Sequence, residues 1–455
     1  MFSVKIEVYY SCKDCVGYYF FIFIYAMPKQ THNIVSDNVQ YSKLYKCNSV
    51  TKLAELLETT EEFLQEFDYQ EFSNIILGKH YNIYPTKKDN GSIRYIEEPT
   101  IYRYYFEDYT ITKDNQPTTI KKGEVQKYDK GKWELLSLNK EEYSLLYQQS
   151  ERKKTARKMG LRGKFFNRAR YVEIGLKEVQ RVICEHLQFG ILDFNKGQWW
   201  LYKNPSYLHS GIKHRSTKTQ AQYLSDQVST HWDLYDIEKF YQNVLYKHIF
   251  DFFHKKMNCN RRVARILANL SSFDGTFYVA YKKLEGKELK AMVQTKHILT
   301  GSPLSQCLAF LCFKETFDKI HDICLKNNGK LAVYVDDITI TNATKALKKD
   351  VIELLAKDGL TINNEKIIYL PKKADKENLG IRHTDSGLSP TKKFIKNNIK
   401  NREELNTENS KHLLTKSSRK LHKLKKDSTS KAQIDLINKA QTVKGQYCYT
   451  KYVSQ

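Results

Sequence analysis

Two adjacent carboxylates interrupt an otherwise apolar stretch of this sequence. Asp336 and Asp337 stand in the middle of the segment 331–340, which reads LAVYVDDITI. The apolar run before the pair and the alternating β-branched run after it predict a short β-hairpin with the aspartates at its tip. Neighbouring carboxylates that lose solvent repel each other, and hard divalent metals such as Mg²⁺ favour carboxylate oxygens. The alternative is a solvated Asp-Asp turn that binds no metal.

A third carboxylate with a similar setting occurs earlier in the chain. Asp236 ends the aromatic, strand-like segment 232–236, WDLYD. One aspartate on a strand beside a hairpin with two more suits two-metal phosphoryl transfer. In that chemistry, two ions about 3.5–4 Å apart activate the attacking hydroxyl and stabilise the leaving oxygen.

The order of three motifs resembles that of reverse transcriptases. The segment 334–337, YVDD, looks like their Tyr-x-Asp-Asp signature, and Asp236 matches their first palm aspartate. Between them, the segment 299–306, LTGSPLSQ, is similar to the Gln-Gly-x-Pro-x-Ser-Pro segment of that family. Shorter segments extend the match at 84–88, 91–96, 176–183, 359–366, 378–381 and 440–447. The resemblance covers about residues 75–100 and 171–455, which is most of the chain.

Departures from the family pattern indicate which group of reverse transcriptases the sequence resembles most. Thr300 stands where the family usually has Gln, and Gln306 stands where Pro is common. The segment 204–209, NPSYLH, only approximates the Asn-Ala-x-x-His element of retron enzymes. We see no maturase or HNH extension of the group II intron kind. The sequence is therefore most similar to retron-like, defence-associated (antiphage) reverse transcriptases, which implies a bacterial cytoplasmic protein.

The resemblance implies an α+β right-hand polymerase fold with fingers, palm and thumb. The palm is expected to be an antiparallel sheet with helices on one face, and the thumb to be small and helical. The expected boundaries are a leader at 1–27, with Met27 as an alternative start, a helical N-terminal extension at 28–78, fingers at 79–231 with an atypical basic insertion at 101–170, a palm at 232–385 and a basic thumb at 386–455.

The same resemblance implies roles for individual residues. Asp236, Asp336 and Asp337 are the candidate catalytic residues. With the backbone carbonyl of Ile237, they would hold two Mg²⁺ ions, for which Mn²⁺ is an alternative. The candidate nucleotide-binding residues are Lys87, Lys88 and Arg94 for the triphosphate, Tyr241 for exclusion of a 2′-hydroxyl, Gly301 for close backbone approach, and Lys366, which either protonates the pyrophosphate or only lies near it.

The charge of the chain favours a nucleic-acid partner. The formal net charge is +24 over 455 residues, and such a basic surface attracts phosphate backbones through counterion release. An AT-rich genome would explain the excess of Lys over Arg but not the shortage of acids. Within the insertion, a basic run predicts a nucleic-acid interface, with a solvated helix face as the alternative. Its candidate residues are Arg152, Lys153, Lys154, Arg157, Lys158 and Arg162.

Cysteine usage and hydropathy exclude other classes of protein. The chain has nine cysteines, and only Cys12 and Cys15 form a CxxC pair, without the second pair that a zinc ribbon needs. This pattern predicts a reducing compartment without a disulfide framework. The apolar segment 16–26 is too short to span a bilayer, so no membrane partner is expected.

The favoured function is RNA-directed DNA polymerase, working with a dedicated noncoding RNA as template or primer in antiphage defence. Its other partners would be dNTPs, the DNA product, and either a partner protein or a second copy of the chain. Two alternatives remain open. One is a template-independent or protein-primed DNA polymerase of the same fold, which sequencing of the product would reveal. The other is a non-catalytic RNA-binding subunit, which an Asp336→Ala variant with unchanged behaviour would favour.

Overall fold

The structure is a computed structural model of mixed α+β type. It describes residues 42–68, 80–87, 93–113, 116–129, 132–158, 170–189, 206–211, 215–274, 296–384 and 387–404, with 421, 437–438, 440–443, 449 and 452–453. All of these residues belong to one unit, Val39–Gln455. The leader predicted at 1–27 lies outside the described residues.

Helices alternate irregularly with short strands along the chain. The helices are α1 (Val50–Leu56), α2 (Glu61–Gln65), α3 (Lys140–Lys158), α4 (Leu176–Phe189), α5 (Thr217–Leu224), α6 (Phe240–Asn243), α7 (Tyr246–Asp251), α8 (Arg261–Ser271), α9 (Ser305–Cys312), α10 (Lys314–Lys326), α11 (Lys345–Lys357) and α12 (Lys392–Glu404). The strands are β1 (Tyr81–Lys87), β2 (Ile93–Pro99), β3 (Tyr102–Tyr105), β4 (Tyr109–Lys113), β5 (Gln116–Ile120), β6 (Val125–Asp129), β7 (Lys132–Leu135), β8 (Tyr171–Ile174), β9 (Trp232–Asp236), β10 (Ser272–Asp274), β11 (Lys296–Ile298), β12 (Leu331–Tyr334), β13 (Asp337–Thr341), β14 (Ile368–Leu370), β15 (Glu377–Asn378), β16 (Ile381–Thr384) and β17 (Gly387–Pro390).

The sheet that carries the candidate site has the strand order β12-β13-β9-β14. Every neighbouring pair in it is antiparallel. Leu331 and Val333 on β12 and Ile338 and Ile340 on β13 are buried in the main hydrophobic core. These branched and apolar side chains favour strands that pack against other elements. The antiparallel sheet predicted for 232–385 is therefore present.

Amphipathic helices bury the sheet within that core. On α11, Leu347, Val351 and Leu355 are spaced by four residues and are all buried, so they form one apolar face. Thr344 caps this helix, because its hydroxyl accepts the Leu347 N–H at 3.2 Å. The buried residues of this helix share one hydrophobic core with those of β12 and β13.

The described part of the predicted insertion consists of strands followed by the helix α3. β3, β6 and β7 form a sheet with the order β7-β6-β3-β8, and β4 pairs with β5 in a separate hairpin. The strand β8 lies just beyond the predicted insertion but completes its sheet. Leu146 of α3 packs with Tyr104 and Val172 in a small core. The sheet of the insertion therefore includes a strand, β8, from the segment that follows it.

Two further predictions concern helical segments. The N-terminal extension is helical where it is described, in α1 and α2, and it buries Leu53, Leu64 and Phe67. After the three-stranded meander β15-β16-β17, the basic helix α12 begins at Lys392. Across the described parts of the chain, no helix has both the length and the apolar character needed to cross a membrane.

Candidate active site

The strand register places the three aspartates at one end of the sheet. Asp337, the first residue of β13, lies directly opposite Asp236, the last residue of β9. On the other side of β13, Tyr334 pairs with Asp337, so Val335 and Asp336 form a two-residue turn. Opposite residues in an antiparallel pair have Cβ atoms about 4.5–5.5 Å apart. Although Asp236 is remote in sequence from the hairpin, its carboxylate therefore lies beside it.

Backbone hydrogen bonds fix the position of this end of the sheet. The Ile237 N–H donates to the Asp336 carbonyl at 2.9 Å, and the Asn363 N–H donates to the Asp236 carbonyl at 2.8 Å. Ile237 also forms an isolated antiparallel bridge with Ile362, and its side chain is buried. The chain after β9 is therefore tied both to the hairpin turn and to the segment 361–363.

A lysine neutralises part of the carboxylate charge. The Lys366 Nζ lies 2.8 Å from Oδ1 and 3.0 Å from Oδ2 of Asp236. This hydrogen bond, more than any other interaction, raises the pKa of Lys366. The sequence predicts that Lys366 either protonates the pyrophosphate or only lies near it, and the structure places its ammonium group on Asp236, a candidate catalytic residue.

The pKa of Asp337 depends on the charges of the other residues in the cluster. Burial, followed by the negative charges of Asp336 and Asp236, raises the pKa of Asp337 to about 6, although Lys366 acts in the opposite direction. Closely spaced oxygen donors that repel one another suit a hard divalent cation. As they stand, no three His, Cys, Asp or Glu side chains among the described residues are arranged to hold a metal ion. Both carboxylate oxygens of Asp236 instead contact the Lys366 ammonium group.

Two further segments, α6 and the turn after β11, carry other predicted residues. Tyr241 lies on α6, five positions after Asp236, and its half-buried ring is 5.9 Å from the ring of the buried Phe240. Gly301 lies in the turn that follows β11. The Ile298 N–H at the end of β11 donates to the Val244 carbonyl at 3.0 Å, just after α6. The α6 segment and the chain that leads into the Gly301 turn are therefore adjacent.

The family of the domain follows from comparison with known proteins. Residues 168–383 match the family model "Reverse transcriptase (RNA-dependent DNA polymerase)". The matched segment contains Asp236, Asp336 and Asp337 together with the sheet that positions them. Residues 168–383 form a reverse transcriptase domain. It is accordingly an RNA-directed DNA polymerase.

Solved structures similar to this reverse transcriptase include two Candida telomerases. Telomerase from Candida albicans with a TWJ fragment of telomeric RNA has a TM-score of 0.39 and 11% identity, and the match covers 87% of this chain and 70% of that one. Apo telomerase from Candida tropicalis has a TM-score of 0.30 and 13% identity, and the match covers 91% of this chain and 70% of that one. No curated protein matches the sequence.

Two of the three predicted triphosphate contacts, Lys87 and Arg94, lie on the paired strands β1 and β2. In its register, Thr86 pairs with Arg94 and Lys87 pairs with Ile93. The side chains of Lys87 and Arg94, and the whole of Lys88, lie outside the described residues. β1 and β2 pair antiparallel, and the phosphate-binding role of the three basic residues stays a prediction.

The basic run of the insertion requires one correction. Lys153 is fully buried on α3, where its Nζ lies 3.4 Å from Glu58 Oε2 and 3.8 Å from Glu178 Oε1. The ammonium group therefore pairs with acids inside the protein and is not presented to a nucleic acid. The sequence run of basic residues could not reveal this, because both acids lie on other elements.

The remaining residues of the run differ in exposure. Lys158 is exposed, and Arg152 and Lys154 are half-buried, with the Lys154 Nζ 4.0 Å from the centre of the Phe106 ring. Arg157 lies on α3 with a side chain that is not among the described ones, and Arg162 lies outside the described residues. Three basic side chains, Arg152, Lys154 and Lys158, therefore stay as described candidates for the interface.

Sequence reasoning missed one residue beside the aspartates. The Ser210 Oγ accepts the N–H of Val335, the first residue of the Asp-Asp turn, at 2.7 Å. The sequence pattern indicates only an imperfect retron-type element at 204–209, and this element ends one residue before Ser210. No spacing rule connects Ser210 to a turn 125 residues away.

Proposed function

We propose that Asp236, Asp336 and Asp337 are the catalytic residues of an enzyme that copies RNA into DNA. The observation that carries this proposal is the strand register that sets Asp236 on β9 against Asp337 on β13, while the Ile237 N–H donates to the Asp336 carbonyl. The three carboxylates would hold two Mg²⁺ ions, or Mn²⁺, with the backbone carbonyl of Ile237. When bound, such ions activate the attacking hydroxyl and stabilise the leaving oxygen.

The chain's own residues would position the substrates around these ions. The Tyr241 ring, backed by the buried Phe240, would close the space next to C2′ of the incoming nucleotide. Gly301 would let the backbone approach that nucleotide. The Lys366 ammonium is held at Asp236, from which it would lie close to the charge that develops on the pyrophosphate.

A right-hand arrangement would organise the whole enzyme. We assign 79–231 to fingers, 232–385 to the palm and 386–455 to the thumb. The four-stranded antiparallel sheet supports the palm assignment. The basic helix α12 supports the thumb assignment, since it follows the meander β15-β16-β17 directly.

The RNA partner would also contact α3. Tyr143 and Tyr147 are exposed on this helix with nearly parallel rings, 6.3 Å between centres. Positions 143, 147, 154 and 158 recur at helical spacing, so Lys154 and Lys158 continue the same stripe. Aromatic rings followed by ammonium groups suit stacked bases followed by phosphates, as in single-stranded nucleic acid.

The finer assignment is a bacterial cytoplasmic enzyme that works with a dedicated noncoding RNA in antiphage defence. It is supported by the sequence departures at Thr300 and at 204–209, together with the net charge of +24. Sequencing both the RNA that co-purifies with the protein and the DNA that it makes tests this assignment. A DNA product complementary to one bound RNA is the expected result, and product unrelated to any bound RNA would contradict it.

The catalytic assignment is tested by substitution of Asp336. Purified protein supplied with an RNA template, a primer, Mg²⁺ and labelled dNTPs should incorporate label, and the Asp336→Ala variant should lose essentially all incorporation. Asp350→Ala is the matched control, because Asp350 is an exposed aspartate on α11, and it should retain full activity. Equal incorporation by Asp336→Ala and the unaltered protein would overturn the assignment.

A further inference from the structure

The turn that bears the catalytic aspartates has an unfavourable backbone conformation. Val335 has a φ of +60°, in the left-handed region. There the Cβ of an L-residue crowds the backbone, and a β-branched side chain is a genuine outlier. Such a conformation persists only where the surrounding structure holds it in place. The contacts around Val335 therefore bear on where Asp336 and Asp337 lie.

The Val335 amide is held by a side chain from a distant segment. Its N–H donates to the Ser210 Oγ at 2.7 Å, and Ser210 is buried. Val333, two residues before Val335 in this edge strand, is also covered by the same segment. Leu208 forms a parallel bridge with Val333. The Val333 N–H donates to the Tyr207 carbonyl at 2.7 Å, and the His209 N–H donates to the Val333 carbonyl at 2.9 Å.

The supporting segment is itself fixed to the rest of the domain. The Arg215 guanidinium donates to the Leu208 carbonyl at 2.6 Å. The Tyr207 hydroxyl donates to Asp318 Oδ1 at 2.5 Å, which ties the segment to α10. Just after Ser210, Gly211 has a φ of +68°, and a Cβ there would lie 3.1 Å from the Cys307 nitrogen of α9. The residues on both sides of Ser210 are therefore held in position by contacts with other parts of the domain.

We infer that Ser210 is a positioning residue for the Asp336–Asp337 turn. Its hydroxyl oxygen accepts the Val335 amide, keeps Val335 in the left-handed conformation and so fixes the direction of the two carboxylates. The inference rests on the proposed catalytic role of those aspartates. Without the hydroxyl, Val335 would relax and the carboxylates would be less well placed to share a divalent ion with Asp236.

Substitution of Ser210 tests the inference. Ser210→Ala should lower the rate of dNTP incorporation at saturating substrate about fivefold, the factor that one hydrogen bond typically contributes, and should weaken Mn²⁺ binding, followed by EPR without substrate, by a similar factor. Ser210→Thr keeps the hydroxyl and should restore both. Ser271→Ala, which removes another buried serine hydroxyl, on α8, should change neither.

A double variant separates positioning from a merely structural role. Glycine adopts positive φ without steric cost. In a Val335→Gly background, the left-handed conformation at position 335 therefore depends less on the hydrogen bond to Ser210. The loss caused by Ser210→Ala should therefore be clearly smaller in that background than in the unaltered protein. Equal losses in both backgrounds, or Mn²⁺ binding unchanged by Ser210→Ala, would overturn the inference. Activity that survives Asp336→Ala would instead refute the catalytic assignment itself, so the two failures are distinguishable.

Discussion

At the scale of single residues, burial and charge repulsion act together on Asp337. Burial and the charges of Asp336 and Asp236 raise the pKa of this carboxyl group to about 6, whereas an ordinary aspartate titrates near 3.8. The ionised form needed to bind a cation is therefore unfavourable in the absence of that cation. The folded protein holds together carboxylates that would separate on unfolding. This cost is characteristic of a binding site rather than of a packing feature.

Burial and repulsion together predict a pH-dependent effect of Asp337→Asn. Because the folded-state pKa lies above the unfolded one, the folded protein binds more protons between about pH 4 and 6 and loses stability as pH rises through that window. Removing the charge should raise the free energy of unfolding at pH 7.5 by about 1 kcal/mol, a value reduced for partial exposure, and by less at pH 5. Thermal unfolding in EDTA at both pH values measures this. A gain at pH 5 that matched the gain at pH 7.5 would contradict it.

The sugar preference of the enzyme is a second prediction at this scale. The Tyr241 ring is backed by Phe240, so it cannot retreat easily from a 2′-hydroxyl. Tyr241→Ala should raise ribonucleotide incorporation relative to deoxynucleotide by at least tenfold, while Tyr241→Phe, which keeps the ring, should preserve discrimination. Primer extension with matched rNTP and dNTP pairs measures the ratio. If Tyr241→Ala discriminated as well as the unaltered protein, another residue would have to select the sugar.

At the scale of elements, the sequence predicted what depends on neighbours in the chain. The β12–β13 hairpin follows from a local apolar run that ends in two charges. Contacts between distant segments were not predictable in this way. Ser210 lies 125 residues from Val335, and Lys153 lies 95 residues from Glu58. Asp236 was the exception, because the order of motifs in a known family supplied the pairing that no local pattern contains.

The buried pairing of α3 gives a prediction for this element. Gln149 bridges Thr59 and the Gly175 N–H, and Lys153 pairs with Glu58 and Glu178, so α3 is clamped between α1–α2 and α4. Lys153→Met would remove the buried cation that lies between Glu58 and Glu178 and should destabilise the protein by about 3 kcal/mol. Lys158→Met, at an exposed position of the same helix, should change stability by less than about 0.5 kcal/mol. Chemical denaturation measures the free energy of unfolding of both variants. Similar decreases for the two would show that the buried pairing of Lys153 does not stabilise α3.

At the scale of the whole molecule, the net charge of +24 should govern how the enzyme binds RNA. Each phosphate contact that releases a counterion from a single strand adds about 0.7 to the slope of log affinity against log salt concentration. If the exposed stripe of α3 contacts the backbone, Lys158→Ala should lower the magnitude of this slope by about that amount. Folded Lys153→Met should leave the slope unchanged, because its ammonium group is buried among acids. Fluorescence anisotropy with a labelled single-stranded RNA at several KCl concentrations measures the slopes. Equal slopes for Lys158→Ala and the unaltered protein would show that Lys158 does not contact the RNA backbone. A reduced slope for Lys153→Met would show that Lys153 does contact it, contrary to its buried position.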